Sequence, residues 1–572
     1  MNDKTTAATI AAAAIALVVA LIFILKGMFS GFLSFGSDES ASDRTFAGAG
    51  PTFELRPQAE IAPEQATEND PLNDLDPAFV RKILDFFLSS ASSRDALPGE
   101  AILRFKNSQA YRDFLATAKS KGIKVLGRLD PLNAVRVSFD KLGDLRRNLE
   151  GIAEDLSAVE GNYLVTVPDI PLATDERSSG GSAAGFGASI LEHLGISGQN
   201  SAFGSGIRVA VLDSGISAHP TFDSSKVRTF DLIDPQFTGA TTTDSLGHGT
   251  AVASLIAGTN PQAAGVAPAV DLLSYRVTDA DGNSDSFTLA QGIINATDAG
   301  AKLINISLGS YGDSPVILEA INYATSQNSL VIAAAGNEQL VDAAYPARYP
   351  GVVSVGGTDA NNQQLSFSNA SPTLDFGAPG YEINAADLDS NLVQFTGTSA
   401  STPIVTGAIA AVMSELSITD PYQALDLLQS TANEAGAPGE DAAYGHGVID
   451  IQRALTSNSR GIVDSAVASH YYDADNTFGY GPNQMLFVVE NRGTEPLANL
   501  PISINANGTQ INHAFPSILP NGIGVYPVPI DLNNLNTQGA QSFQSRVLFP
   551  NQSDARDANN ALSTSLIAPE AP

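Results

Sequence analysis

The sequence predicts, at its centre, an α/β domain built as a doubly wound parallel sheet, and three observations predict it. Short apolar runs recur at residues 207–212, 272–277, 303–308, 330–335 and 352–355. They are apolar on both faces, as the strands of a sheet covered on both sides must be. Stretches of helical character separate them, the alternation from which parallel sheets are built. In such folds chemistry collects at the carboxyl ends of the strands.

The other elements follow in chain order. With 572 residues the chain exceeds one hydrophobic core, and 43% hydrophobic residues are ample for several. Residues 6–25 run without charge, Pro or Gly, bracketed by Lys4 and Lys26. That is long enough to cross a bilayer as one helix. The run continues into Lys26-Gly27-Met28-Phe29 rather than a small-residue cleavage site, so residues 1–28 read as a transmembrane signal-anchor. The expected topology is single-pass, with everything beyond the span exported. Residues 29–97, rich in Ser, Ala, Asp and Pro, read as a stalk, with one amphipathic helix at 78–88.

Ala101, Leu103 and Phe105 then alternate as in a strand, and Tyr111, Phe114, Leu115 and Ala118 take helical spacing. Val135, Val137 and Phe139 alternate again, Leu145, Leu149, Ile152 and Leu156 return to helical period, and Tyr163, Val165 and Val167 close with alternation. The order strand, helix, strand, helix, strand predicts a small α+β domain over residues 98–168. Residues 169–189 contain Ser178-Ser179-Gly180-Gly181-Ser182, an accessible linker. The α/β domain takes residues 190–457. Residues 458–572 change to Asn, Gly and Pro turns between short strands, such as 485–489 and 524–528, and predict a small β-sandwich. Its Asn491-Arg492-Gly493 turn loosely resembles those of Ig-like modules.

Composition excludes several functions. The formal net charge of -31 repels nucleic acid, so no nucleic-acid partner is expected. With no cysteine, disulfides, thiol catalysis and thiolate metal sites are excluded, leaving hydroxyl, imidazole and carboxylate chemistry.

Three segments carry such groups. Val209-Ala210-Val211-Leu212-Asp213 is an apolar strand ending on an aspartate. Gly247-His248-Gly249-Thr250 places a histidine between glycines at the start of a helical stretch, and Gly397-Thr398-Ser399-Ala400-Ser401-Thr402-Pro403 opens an apolar helix. Separately these read as a turn, a loop histidine and capping chemistry. Jointly, an aspartate, a histidine and a serine stand in the order Asp, His, Ser, which is that of subtilisin. On these motifs, residues 190–457 resemble the subtilisin-like serine peptidases.

The resemblance implies an endopeptidase in which Ser399 attacks the scissile carbonyl, His248 relays the proton and Asp213 orients the imidazole. It implies that Asn337, in Ala335-Gly336-Asn337, donates to the oxyanion, and that Ser307, Leu308 and Gly309 bind an extended polypeptide substrate in β fashion. No cofactor is implied for the chemistry. The loop Asp279-Ala280-Asp281-Gly282-Asn283-Ser284-Asp285 reads either as a structural calcium loop or as a metal-free acidic turn. His219 is expected to be structural. The chain departs from the family pattern at Ala400 and Ile404.

The α+β domain resembles the inhibitory propeptide of such enzymes, which makes the chain's own propeptide a partner and the linker a self-cleavage site. Cutting there would free the peptidase from its membrane helix. A dedicated processing enzyme and a catalytically silent surface protein remain as alternatives.

Overall fold

The computed structural model describes residues 96–169, 183–196, 198–233, 244–549 and 553–567. The expected membrane span and the 78–88 helix lie outside these residues. Among the described residues no helix is long and apolar enough to cross a membrane.

The first domain runs β1 (Ala96–Phe105), α1 (Ser108–Thr117), β2 (Lys124–Leu129), β3 (Ala134–Ser138), α2 (Leu142–Leu149) and β4 (Leu156–Thr166). Asn107 starts α1 because its side-chain oxygen accepts from the backbone N–H groups of Gln109 and Ala110. Strand periodicity divides the sheet's two faces. Leu103, Val135 and Val137 pack on Phe114, Leu145 and Leu149 of the domain's own helices. Ile102 and Ala134 point the other way, into a core shared with Phe287 and Leu289 of the next domain.

Three sequence expectations are corrected here. Strand β1 already runs at Ala96, the first described residue, so the expected boundary at 98 falls inside it. Strand β2 is an additional element: its Gly127 and a register shift between Val125 and Gly127 break the alternation that marks a strand. The second helix stops at Leu149, a 3₁₀ turn follows, and Leu156 begins β4 instead of ending the helix.

The central sheet comprises β5 (Arg208–Asp213), β6 (Val227–Asp231), β7 (Asp271–Arg276), β9 (Leu303–Ile306), β10 (Leu330–Ala334), β11 (Val352–Thr358) and β12 (Phe376–Pro379), in the order β12-β11-β10-β9-β5-β7-β6. Every pairing is parallel. The five predicted apolar runs are its five inner strands, and β6 and β12 are its edges. Along β5, Val209 and Val211 join one core while Ala210 and Leu212 join the other. Helices α3 (His248–Ala257) and α6 (Thr398–Glu415) cover the first face. Helices α4 (Ser286–Asp298) and α5 (Pro315–Ser326) cover the second, and the short strand β8 (Asn283–Asp285) precedes α4. The chain leaves β5 in both directions across the sheet, so the switch point lies beside the carboxyl end of β5.

The predicted linker over 169–189 is also too long. Ala184 N donates to Asp359 Oδ2, Phe186 N to Tyr381 O and Gly187 N to Glu382 O, which ties this stretch to the central domain. The Ser-Gly run at 178–182 lies outside the described residues.

The described residues beyond 457 form seven antiparallel strands in sheets of three and four, packed on one core that includes Phe487, Ile502 and Phe543. Arg453 of the central domain reaches this module and donates to Glu490 Oε1 at 2.6 Å, while Arg492 donates to Glu490 Oε2 at 2.8 Å. Burial pushes the Glu490 carboxyl up, and the two guanidiniums overcome it and hold the group below its ordinary value. A buried ion pair with every oxygen satisfied fixes orientation more than it adds stability.

Candidate active site

The site assembles at the carboxyl edge of the sheet, around β5, β9 and β10. Asp213 is the last residue of β5 and fully buried. Its Oδ1 accepts from Ser214 N at 2.8 Å and lies 2.7 Å from His248 Nδ1. A carboxylate oxygen can only accept from this nitrogen, so Nδ1 carries the proton and Nε2 is left as the basic atom. His248 Nε2 is buried with no hydrogen-bond partner among the described residues.

Glycines make this approach sterically feasible. Gly247 stands at φ +79° just before α3, a conformation that side chains disfavour. At Gly249 an added Cβ would lie 2.2 Å from Gly215 O, so only glycine lets the histidine turn pack on the aspartate turn. Phe395 covers the imidazole edge-on at 5.3 Å between ring centroids.

Ser399 lies in the first turn of α6, after Gly397 at φ +129°. A chain of side-chain bonds ties this turn to β9: Thr406 Oγ1 donates to Asn305 Oδ1 at 2.9 Å, Asn305 Nδ2 to Ser307 Oγ at 3.2 Å, and Ser307 Oγ to Ser399 O at 3.2 Å. The Ser399 hydroxyl is directed at Ser307 O, 3.4 Å away. Ala400 and Ile404, the two departures from the family pattern, are fully buried in the apolar core behind the serine.

Asn337 follows β10. Its Oδ1 accepts from Thr398 N at 2.9 Å and from Thr398 Oγ1 at 3.0 Å. A backbone N–H only donates, so the amide oxygen must face Thr398, which leaves Nδ2 as the free donor beside the serine turn. Of the seven residues singled out in the sequence, Asp213 pairs with His248, Ser399 is bonded to Ser307, and Asn337 holds the turn that carries Ser399, while Leu308 and Gly309 follow Ser307 beyond β9.

Asp244 belongs with them. Its Oδ1 accepts from Ser214 Oγ at 2.9 Å and from the N–H groups of Leu246 and Gly247, both at 3.0 Å. Its Oδ2 accepts from Thr250 N at 2.9 Å and Thr250 Oγ1 at 2.7 Å. One buried carboxylate thus binds the aspartate turn to the histidine turn. Its only sequence signal is an aspartate four residues before the histidine.

The end of β4 lies in the cleft. Thr166 and Gly309 exchange both backbone hydrogen bonds, each 3.0 Å, and Val167 N donates to Gly282 O at 2.9 Å. The tail is thereby a strand between two edges, with β8 antiparallel on its other side. Beside it opens a cavity of about 450 Å³ lined by Pro168, Leu308, Gly309, Ala334, Gly336 and Glu338, among others.

The acidic loop serves this pairing. Asp279 Oδ1 accepts from Asp281 N and Asn283 N, and Asp285 caps α4 through Thr288 N while pairing with Arg136 at 3.0 Å. Among the described residues no cluster of three or more His, Cys, Asp or Glu side chains could hold a metal. His219 is structural: its Nδ1 accepts from Thr221 N and its Nε2 faces Asn391 O, both at 3.1 Å.

A buried Asp–His pair at the switch point of a parallel sheet, with a serine in the first turn of a helix at the same edge, is the arrangement of a serine peptidase of the subtilisin type. Residues 204–447 match the model of the Subtilase family. Subtilisin BL of Lederbergia lenta is 38% identical over 253 residues, covering 44% of this chain and 91% of that protein. A thermostable alkaline protease of Halalkalibacterium halodurans is 37% identical over 254 residues, covering 44% and 68% respectively. Fervidolysin from Fervidobacterium pennivorans, a keratinolytic enzyme related to subtilisin, shares the fold at a TM-score of 0.55 and 22% identity, covering 83% of this chain and 77% of its own. The chain belongs to the subtilase family and is a subtilisin-type serine protease acting on polypeptides.

Proposed function

We propose that the chain is an endopeptidase that hydrolyses peptide bonds through an acyl-enzyme, with Ser399 as nucleophile, His248 as general base and acid, and Asp213 orienting the imidazole. His248 Nε2 takes the Ser399 proton as Oγ attacks and returns it to the leaving amine. Asn337 Nδ2 donates to the oxyanion of the tetrahedral intermediate. The observation that carries this reading is the 2.7 Å Asp213–His248 contact at the sheet's switch point, which leaves Nε2 as the basic atom. A fluorophosphonate probe tests it: labelling mapped by mass spectrometry to Ser399, and absent from His248→Ala, is the expected result.

The α+β domain is an inhibitory propeptide in this reading, because its last strand occupies the cleft in the manner of a substrate. Two side chains dock it on the helices behind the cleft. Glu160 accepts from Val316 N in the first turn of α5, and Asn162 Oδ1 from Phe287 N in the first turn of α4. Self-cleavage beyond this tail would convert the precursor to mature enzyme. The apolar run at 6–25 would tether the precursor, with the catalytic domain outside the cell; protease accessibility on intact cells tests that topology. The acidic loop at 279–285 is read as a metal-free turn, and activity retained in a chelator is the expected outcome.

A further inference from the structure

We infer that Pro168 is the specificity-determining residue for self-cleavage, the position that makes the chain's own tail a slow substrate for the site it occupies. This rests on the propeptide reading above.

The register fixes the position. Thr166 and Gly309 form an antiparallel bridge in which each N–H donates to the other's carbonyl. Two residues further along, position 168 falls opposite Ser307, and its N–H should donate to Ser307 O to continue the ladder. Proline has no N–H, so this bond cannot form. Ser307 O instead has the Ser399 hydroxyl at 3.4 Å. His248 Nε2, the atom that must draw the proton from Ser399, is buried without a partner among the described residues. The tail thus lies in register while the Ser399 hydroxyl is directed at Ser307 O and not hydrogen-bonded to His248 Nε2. Continued by two residues, the Thr166–Gly309 register sets Pro168 opposite Ser307, whose carbonyl has the Ser399 hydroxyl beside it, and this assigns the Pro168 carbonyl to the nucleophile. The bond cut is Pro168–Asp169.

The side chain lacks a partner as well. Pro168 lines the mouth of the 450 Å³ cavity, whose apolar walls include Leu308, Ala334 and Ala344. A compact ring that cannot extend inward leaves that binding energy unused. In the reaction itself, Ser399 Oγ bonds to the Pro168 carbonyl carbon as its proton moves to His248 Nε2. The Pro168–Asp169 C–N bond then breaks, the same proton passing to the Asp169 nitrogen, and water hydrolyses the Ser399 ester to free the Pro168 carboxylate. An N–H donated to Ser307 O would hold the carbonyl on line for this attack, and Pro168 removes it.

The test compares full-length wild type, Pro168→Ala, Pro168→Leu and a Ser399→Ala control. First-order self-cleavage is followed by gel, and the new termini are mapped by mass spectrometry. Pro168→Ala restores the donor alone, and Pro168→Leu restores the donor and reaches into the cavity. We expect cleavage at the 168–169 bond to accelerate by about tenfold in Pro168→Ala, the worth of one hydrogen bond, and further in Pro168→Leu. Equal rates in all three Ser399-containing chains, or a cut that maps elsewhere in every one of them, would overturn the inference. Casein hydrolysis that depends on Ser399 in the same preparations keeps the peptidase reading even then. No Ser399-dependent cleavage of any kind removes both.

Discussion

Glu160 makes inhibition by the α+β domain depend on pH. The side chain is 3% exposed at the interface, with Arg104 Nε 3.3 Å from Oε1 and Val316 N donating to Oε2 at 3.2 Å. Burial dominates and raises its pKa to about 7, against the lowering effect of Arg104 and Val316, with Asp313 and Glu319 adding to the rise. The ordinary carboxyl value of 4.5 is the reference for the undocked, solvated group. An acid whose pKa is raised by docking binds its proton more tightly in the complex. Docking is therefore strongest below pH 4.5 and weakens as pH rises through 7. The difference between about 7 and 4.5 corresponds to roughly 3 kcal/mol, or on the order of 100-fold to 1000-fold in the dissociation constant. The assay is size-exclusion of the processed complex under dilution, from pH 5 to pH 8. Wild type should release the α+β domain increasingly towards pH 8, and Glu160→Gln, which stays neutral, should lose most of that slope. Equal retention at both ends of the range, or an unchanged slope in Glu160→Gln, would refute the reasoning.

Four further outcomes are expected. Asp213→Asn should lower kcat by about 10⁴, the order measured for subtilisin and its convergent counterparts, with little change in KM, in a peptide-hydrolysis assay. Asn337→Ala should lower kcat by about 10² to 10³, again the subtilisin magnitude, because the lost donor acts on the oxyanion rather than on the bound substrate. Gly249→Ala, with its Cβ 2.2 Å from Gly215 O, should separate His248 from Asp213 and abolish fluorophosphonate labelling. Arg453→Met should leave Glu490 buried with one partner fewer and cost about 3–5 kcal/mol in thermal or denaturant unfolding. Variants that cannot process themselves are first cut beyond residue 167 by added wild-type enzyme, which is then removed.

The inner strands of the central sheet were legible because burial on both faces leaves nearly continuous Val, Ile, Leu and Ala. Its edges were not: Val227–Asp231 is half-exposed and mixed in character, and Phe376–Pro379 is four residues long. In the first domain Gly127 hid a strand, since it packs against Phe287 of the neighbouring domain and so answers to tertiary structure rather than to local propensity. The site was legible to the extent that it lies in short motifs around Asp213, His248, Asn337 and Ser399. Asp244 escaped because its work is to accept hydrogen bonds from Ser214 and from the turn before His248, and the partners of a carboxylate have no spacing in the sequence. The tail in the cleft escaped for a related reason. The pairing of Thr166 with Gly309 joins positions 143 residues apart, and no periodicity encodes it.

Self-cleavage of the purified full-length chain beside its Ser399→Ala variant tests the central claim most directly, with an unfolded protein as second substrate. The account predicts that only the chain with Ser399 cuts itself beyond residue 167 and digests the added substrate, while Ser399→Ala remains intact and folded. Equal processing in both, or a folded wild type that does neither after prolonged incubation, would contradict it.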